Sequence, residues 1–530
     1  MQKRQRYLLA IGAAIFLTFD SAFPQAVTEL KIDPLLLVSL NECNHIMESL
    51  GREIYPGWDF QDIPVLFYRP KIQELLINFP HQPAGFSDYT GFNPSKVEAI
   101  SVRDNKTVFE VDDQNTTTEI DSIPILVIAD QFSRMRNQLW GTILDRSPEF
   151  INQWLEDWNF IPSPYDEIRL ILHEAFHVYQ DRQAPEKSAN ENIVTQYPLL
   201  DPLNNALYAL EGKTLRDALL ADNPQIRLEK IKEFVAVRSH RHSRLEPDWI
   251  EYEKLNEYTE GTARYVEYKF MKIGEELEPT QEMYYHQGFN GYGGILKRQL
   301  EDRINDMVKI VSVSDDRFGN RFGAGPFRYK LYELGACQAL LLDEVMPTWK
   351  EKIFADSMYL SDFLQHALAL SSDDLVIYLE KAESEYNYDS IYSDRLQFEQ
   401  EGKKAIEEKL ASILNTSQTL VKIYYGELTD KIGIAYTPFG VTQVSKRSAI
   451  YDMVPIKVRF NEGIELEMKR VIPVLIDREK KMIAFAVATP ASQLGTQADN
   501  KVETPDFNLS TAGMNNDREG NIIAIRLKRK

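Results

Sequence analysis

The hydrophobic pattern changes its period near residue 400, and this change limits the folds that the chain can adopt. Across residues 151–400, apolar side chains recur at the three- and four-residue spacing of amphipathic helices, whereas from residue 418 onwards they alternate or form short runs, as in strands. Residues 27–150 mix one helix with strand-like runs. We therefore expect an α+β fold, with a helical middle domain (151–400), a small mixed region before it and a β-rich, sandwich-like domain (418–530) after it.

The first 26 residues have the pattern of a secretory signal. Basic residues precede Tyr7–Phe19, an apolar run of 13 residues that is too short to span a bilayer and suits a signal-peptide core. Cleavage after Ala26 predicts a secreted or periplasmic protein. An uncleaved amino-terminal anchor is the alternative, because Pro24 suits a cleavage site poorly. No later stretch approaches the length of about 18 apolar residues, so we expect no transmembrane span after the signal peptide.

The formal net charge of −20 restricts the partners of the chain. So acidic a surface argues against nucleic acid and against anionic membranes. The basic segment Arg238–Arg244 is a local exception. It contains His240 and His242, and it is interpreted as a solvated helix end, with an anion site or rival metal ligands as the alternatives. Cys43 and Cys337 are too few for a disulfide framework, and either one bond or two buried thiols would fit.

The sequence His173-Glu174-Ala175-Phe176-His177 is an H-E-x-x-H motif. On a helix, side chains at i and i+4 share one face, so His173 and His177 can bind a single metal ion. Glu174 lies about 100° round the helix, where it can act on a metal-bound water. Ser163–Asp166 predicts the start of this helix, through a serine cap and a proline at the first position. The other interpretation is a pair of surface histidines, but this pair borders an apolar stripe where unliganded imidazoles are costly.

A third ligand is expected from a second helix, predicted over residues 251–271. Glu260 is followed by Gly261 and Ala263, small residues that let another helix approach closely. Glu260 is therefore the best candidate to complete the site. Other acidic residues of the same helix compete for the role: Glu253, Glu257 and Glu267.

Together these segments resemble the gluzincin metallopeptidases, and within them the aminopeptidase-N-like group, which carries H-E-x-x-H followed by E-G-x-A-x-Y. The resemblance implies a Zn²⁺ cofactor bound by His173, His177 and Glu260, with Glu267 orienting one of these ligands. A third segment, Tyr332-Glu333-Leu334-Gly335-Ala336, is similar to the family's Y-E-x-G-A. It implies that Tyr332 stabilises the oxyanion.

Two departures from that group limit what the resemblance implies. Between His177 and Glu260 lie 82 residues, far more than in aminopeptidase N, and the excess at 181–247 predicts extra helices. The G-x-M-E-N segment that binds the substrate's amino terminus in aminopeptidases is missing. Exopeptidase activity is therefore not expected from the resemblance, and endo- versus exo-cleavage stays open.

The expected function is zinc-dependent hydrolysis of a peptide or protein substrate by a metal-activated water. Glu174 is expected to act as general base and then as general acid. Tyr332, or Tyr329 one turn earlier, is expected to donate to the oxyanion. The strand predicted at 118–129 is where we expect a sheet edge that holds substrate. Two alternatives stay open: an inactive zincin-fold binding module, and a zinc hydrolase of a non-peptide bond. The carboxyl-terminal domain is either a structural cap or a sugar- or partner-binding module, and residues 493–520 are predicted to form a loop.

Overall fold

A computed structural model describes most of the chain. The described residues are 29–104, 115–130, 163–312, 321–355, 357–428, 432–437, 440–460, 463–494, 501–511 and 513–528. The predicted signal peptide (1–26) and one of the strand-like runs within 27–150, at residues 107–111, lie outside them. Across the described helices, none combines the length and the apolar character needed to cross a membrane.

The amino-terminal region is a helix, α1 (Leu35–Ile54), beside a mixed sheet. Among the described residues the sheet has six strands in the order β3-β4-β2-β1-β6-β5, and β1 and β6 are parallel. Its strands are β1 (Val65–Arg69), β2 (Gln73–Ile77), β3 (Ser87–Asp88), β4 (Ser101–Asp104), β5 (Thr116–Ile120) and β6 (Ile123–Ala129). The single strand predicted at 118–129 is wrong: the segment is a hairpin. Asp121 and Ser122 adopt φ of 48° and 62°, which turns the chain between β5 and β6.

The middle of the chain is helical, as predicted, and contributes most of the large core. The helices are α2 (Pro164–Gln183), α3 (Pro202–Leu220), α4 (Pro224–His242), α5 (Pro247–Ile273), α6 (Ile295–Val311), α7 (Ala324–Val345), α8 (Trp349–Lys352), α9 (Leu360–Leu368), α10 (Ser372–Glu385) and α11 (Tyr388–Leu414). Helix α5 packs against α2 on one side and α7 on another. Helix α2 also packs on β5 and β6. The amino-terminal sheet and helix α5 therefore meet at α2, and α5 in turn contacts α7.

The start of α2 follows from its first residues. The Ser163 hydroxyl accepts a hydrogen bond from the backbone N–H of Asp166 at 3.4 Å, and Pro164 occupies the first helical position. The apolar stripe of α2 is buried, and includes Ile168, Leu172 and Phe176. A capped start and a buried stripe fix the rotation of the helix, and with it the direction of the side chains on the stripe's border.

The insertion at 181–247 forms the 3-10 helix Glu191–Thr195 and helices α3 and α4. Arg238 and Arg241 of α4 are buried and form ion pairs with acids of α3 and α5. The prediction of a solvated helix end at 238–244 is therefore wrong for these two arginines. Their burial ties the insertion to α5.

The carboxyl-terminal region is β-rich, as predicted, and has two sheets that contact each other. Among the described residues, seven strands form one sheet in the order β17-β18-β7-β14-β13-β10-β9, and five form the other in the order β15-β16-β12-β11-β8. The strands are β7 (Thr419–Tyr424), β8 (Gly433–Ala435), β9 (Val441–Ser445), β10 (Ser448–Tyr451), β11 (Lys457–Arg459), β12 (Glu465–Met468), β13 (Val474–Asp477), β14 (Met482–Val487), β15 (Lys501–Glu503), β16 (Phe507–Ser510), β17 (Met514–Glu519) and β18 (Ile522–Leu527). Phe485 of the larger sheet packs on Phe507 of the smaller, with ring centroids 5.0 Å apart.

The loop predicted at 493–520 is wrong in most of its described part, which contains β15, β16 and β17. These strands are short, and they bury few apolar side chains, among them Val502, Phe507 and Leu509. The polar residues between them hide the alternation in the sequence. Residues 495–500 lie outside the described part of the chain.

The helical and β-rich regions are joined without a loose linker. Helix α11 continues to Leu414, past the predicted boundary at 400. Its last turns place Ile413 in a cluster with Leu420 and Ile450 of the larger sheet. The end of α11 therefore covers one face of that sheet. Cys43 and Cys337 are both buried free thiols.

Candidate metal centre

Helix α2 brings the two histidines of the H-E-x-x-H motif together. Their Nε2 atoms lie 3.2 Å apart, and the ring centroids are separated by 4.8 Å. His173 is buried, and His177 is partly buried. Both imidazoles therefore direct the same nitrogen to one point at the border of the buried stripe.

Helix α5 adds a carboxylate to this point. Oε2 of Glu260 lies 3.6 Å from Nε2 of His173 and 3.5 Å from Nε2 of His177. A tetrahedral zinc ion with bonds of about 2.0–2.2 Å separates its ligand atoms by roughly 3.3–3.6 Å. The separations among these three atoms are close to those values. The donor set of two imidazoles and one carboxylate can therefore hold one metal ion, with a fourth position left for another ligand.

Hydrogen bonds to the far side of each ring orient the imidazoles. Nδ1 of His173 lies 2.7 Å from Oε1 of Glu267, and Nδ1 of His177 lies 2.8 Å from Oε1 of Gln180. The Gln180 amide nitrogen donates to the Thr262 hydroxyl at 2.8 Å, so its oxygen faces His177. In the neutral imidazole that binds a metal, each Nδ1 then carries the hydrogen, and each Nε2 presents a lone pair toward Glu260. Three electron-pair donors that converge in a buried position require a cation or a shared proton.

The charges around the centre suit a cation. Burial alone would lower the pKa of His173, but interactions with Glu260 and Glu267 outweigh it and raise the pKa to about 9. Burial would raise the pKa of Glu260, yet the two histidines hold it well below its usual range. Despite burial, the pKa of Glu267 falls to about 2, mainly because of the Arg264 guanidinium. Both carboxylates are therefore charged beside the imidazoles.

Arg328 of α7 binds the other oxygen of Glu260, the third candidate ligand. Its Nη2 donates to Oε1 of Glu260 at 3.0 Å, which leaves Oε2 for the imidazoles. Glu191 of the insertion accepts from Nε and Nη2 of Arg328 at 3.2 and 3.1 Å. Nη1 of the same guanidinium also donates to the hydroxyl of Tyr332. One arginine thus connects the insertion, the Glu260 carboxylate and the tyrosine.

Tyr332 lies beside the centre, with its ring 6.4 Å from that of His173. Burial and the nearby Glu260 raise the pKa of Tyr332 well above its usual value, although Arg328 opposes them. The phenol therefore keeps its proton and can donate it to an acceptor at the centre. Tyr329 lies with its ring 5.5 Å from that of Tyr332, but its hydroxyl contacts Arg264 at 3.4 Å.

Two glycines set the distance between the helices that carry Glu260 and Tyr332. A Cβ atom on Gly261 would lie 2.5 Å from Cα of Gly335, and one on Gly335 would lie 2.5 Å from the backbone oxygen of Glu257. Neither position tolerates a side chain. The small residue after Glu260 therefore serves the contact between α5 and α7.

The other acidic candidates on α5 face a different side. Glu257 pairs with Arg238 at 2.8 Å. Glu253 pairs with Arg241 at 2.7 Å and lies 3.1 Å from Nε2 of His242. His242 is therefore held away from the metal centre, and the other rival of the sequence analysis, His240, contacts Arg244 at 3.2 Å.

Glu174 is partly exposed on α2. It makes no hydrogen bond or ion pair with the residues that the structure describes, but its charge contributes to the raised pKa of both His173 and His177. Its carboxylate is therefore close to the centre and is not engaged by a described side chain.

The sequence analysis missed Gln180, Arg328 and Glu191. Gln180 is three residues after His177, and Arg328 is four residues before Tyr332, so helical spacing could have indicated both. No local pattern points to Glu191, because the fold brings it to Arg328 from a separate segment. Comparison with protein-family models, with curated proteins and with solved structures finds no match to this chain.

Proposed function

We propose that this chain is a zinc-dependent hydrolase of the gluzincin type that cleaves peptide bonds. The observation that carries the proposal is the convergence of two Nε2 atoms and one carboxylate oxygen at separations of 3.2, 3.5 and 3.6 Å. Zinc prefers four-coordinate sites with imidazole and carboxylate ligands, and a catalytic site keeps one position open. His173, His177 and Glu260 would hold the ion.

Each step of the proposed hydrolysis is assigned to a particular residue. A zinc ion bound here would lower the pKa of water and polarise a substrate carbonyl. Glu174 takes the proton of the attacking water and passes it to the leaving amine, a role that suits a carboxylate without a described partner. Tyr332 donates to the oxyanion. Because Arg328 already donates to the phenol oxygen, the phenol hydrogen is available to another acceptor, which is Glu260 in this structure and would be the oxyanion during turnover.

A peptide substrate is supported by the sheet beside α2. In the described part of the chain β5 is at one end of the sheet, and α2 packs against both β5 and β6. An extended peptide can add to such an edge through main-chain hydrogen bonds, which favours peptide bonds over other bonds. The signal-like segment at 1–26 supports a secreted or periplasmic location.

The test combines metal analysis with turnover. Protein purified without chelators is expected to contain one zinc per chain and to cleave a mixed-peptide library, and a chelator should abolish cleavage. Glu174→Gln should retain zinc and lose turnover, whereas Glu186→Gln, at an exposed glutamate of the turn after α2, should behave like the parent.

Each other result has a definite meaning. Absence of stoichiometric metal would refute the metal centre. Cleavage of simple esters without cleavage of any peptide would identify a non-peptide hydrolase. Bound zinc without turnover of either substrate class would identify a binding module.

A further inference from the structure

A cavity lies between the larger carboxyl-terminal sheet and the insertion, apart from the candidate metal centre. Its volume is about 460 Å³, and Thr195 and Gln196, at the end of the 3-10 helix Glu191–Thr195, form part of its wall. It contains none of the residues of the metal centre. Cavities of this size hold small organic molecules in other proteins.

The walls of this cavity are basic, although the chain as a whole has a charge of −20. The described lining includes one acid, Glu479. Basic side chains approach from two hairpin turns: Lys446 and Arg447 between β9 and β10, and Arg478 and Lys481 between β13 and β14. Grouped cations beside low-dielectric walls concentrate anions.

The fold forces these like charges together. Strands β10 and β13 are paired, and the backbone N–H of Arg478 donates to the carbonyl oxygen of Arg447 at 2.8 Å. The two arginines therefore start from adjacent backbone positions at the same end of the sheet. Bringing like charges together destabilises the fold unless something neutralises them.

Three of these four basic residues, Lys446, Arg447 and Arg478, are weakly neutralised by the described residues. Lys446 lies 3.8 Å from Glu246, but the two side chains are 80% and 60% exposed, so this pair contributes little. Arg478 contacts the phenol of Tyr451, which carries no charge at neutral pH. The side chain of Arg447 makes no hydrogen bond or ion pair with a described residue. A counter-charge from outside the chain would supply what these partners do not.

We infer that the cavity binds a small organic polyanion, with phosphate or carboxylate groups carried on a compact polar body. Arginine guanidinium groups bind both kinds of group through paired hydrogen bonds. Ser448 and Tyr425, which carry hydroxyl groups, are also among the lining residues, and polar residues of this kind suit the polar body of such a ligand. On this inference the carboxyl-terminal domain is a ligand-binding module in addition to a cover for the helical region. The inference is independent of the proposed hydrolase activity.

The experiment is titration calorimetry on the full chain with three probes. Fructose 1,6-bisphosphate represents phosphate esters, digalacturonate represents acidic sugars, and maltose is the neutral control. We expect saturable binding of at least one anionic probe and none of maltose. Arg447→Gln and Arg478→Gln should each weaken that binding by about tenfold or more.

The control is Lys480→Gln. Lys480 lies in the same turn as Arg478, but it does not line the cavity and pairs with Asp477 at 3.1 Å. This variant should bind like the parent. Arg447 is exposed, so its replacement should not lower the unfolding temperature, and this measurement separates lost binding from lost folding. Binding of neither anion, or equal weakening by Lys480→Gln and Arg447→Gln, would overturn the inference. Binding of one anion alone identifies which group the cavity prefers.

Discussion

Oε1 of Glu267 accepts a hydrogen bond from Nδ1 of His173 at 2.7 Å, and this contact links α5 to α2 behind the candidate metal ligands. It makes His173 the more basic of the two imidazoles, because the partner of His177 is the neutral amide of Gln180. A charged acceptor increases the electron density on the opposite nitrogen more than an amide does. The two candidate ligands on helix α2 therefore differ in basicity.

The first prediction concerns these orienting contacts. Glu267→Gln and Gln180→Met should each weaken zinc binding by about 10- to 100-fold, because the rings lose the partner that fixes their tautomer and rotation. A competitive chelator titration measures the change. Gln183→Met, at an exposed glutamine on the same helix, is the matched control and should bind zinc like the parent. Unchanged affinity in both variants would mean that packing alone orients the imidazoles.

The second prediction concerns the identity of the ligands. His173→Ala, His177→Ala and Glu260→Ala should each abolish stoichiometric zinc, because two remaining ligands rarely hold the ion. Elemental analysis of desalted protein checks this. His240→Ala should retain the metal, since His240 contacts Arg244 and lies outside the centre. Loss of zinc in His240→Ala, with zinc kept in Glu260→Ala, would contradict the assigned ligand set.

The third prediction concerns Arg328 as a positioning residue. A lysine cannot contact Glu260, Glu191 and Tyr332 at once, because it offers a single point charge in place of a planar fork. Arg328→Lys should weaken zinc binding by about tenfold. Arg328→Met should weaken it more, because it also removes the positive side chain that holds Oε1 of Glu260. Chelator competition and kcat measure both effects. Arg298→Lys, at an exposed position of α6, is the control. Equal zinc affinity in the parent and in Arg328→Met would exclude a positioning role.

The parts of the fold that depend on local signals could be predicted. The start of α2 follows from Ser163 and Pro164, and the helical middle and β-rich end follow from hydrophobic period. The hairpin at Asp121 and Ser122 was missed because neither residue is a glycine or asparagine, although both adopt positive φ. The strands β15, β16 and β17 were missed because none of them buries more than two large apolar residues.

The site was predictable where it depends on helical spacing, and not where it depends on the fold. His173 and His177 are four residues apart on one helix, so the sequence alone can indicate that their side chains lie together. The contact between Arg328 and Glu191 joins residues 137 positions apart. Their meeting depends on how the insertion packs, which no local pattern encodes.

The fourth prediction concerns stability in acid. Burial lowers the pKa of His286 to about 4, and its Nε2 lies 3.0 Å from the hydroxyl of Ser39. In the unfolded chain the pKa of a histidine is about 6.5. Between these values the unfolded state binds more protons, so the free energy of unfolding falls as pH falls from 6.5 to 4, by at most about 1.4 kcal/mol per pH unit. Above pH 6.5 this group has no effect.

Denaturant unfolding at pH 7 and pH 5 tests this prediction. His286→Gln keeps a hydrogen-bonding group near Ser39 and does not titrate, so it should lose about 2 kcal/mol less stability than the parent between the two pH values. His366→Gln, at an exposed histidine of α9, should lose as much as the parent. Identical losses in the parent and in His286→Gln would show that His286 is protonated as easily in the folded state as in the unfolded state.

The fifth prediction separates the two tyrosines of α7. The hydroxyl of each tyrosine accepts a hydrogen bond from an arginine, Tyr332 from Arg328 and Tyr329 from Arg264. Tyr332 also lies with its ring 6.4 Å from that of His173 and interacts with Glu260, so it is the better placed of the two to donate to an oxyanion. Tyr332→Phe should reduce kcat by roughly a hundredfold with zinc content and KM nearly unchanged, because the lost contact exists only in the transition state. Tyr329→Phe should stay within a few-fold of the parent. If Tyr329→Phe caused the larger loss of kcat, the oxyanion role would be assigned to Tyr329. If neither substitution reduced kcat, the metal ion alone would stabilise the oxyanion.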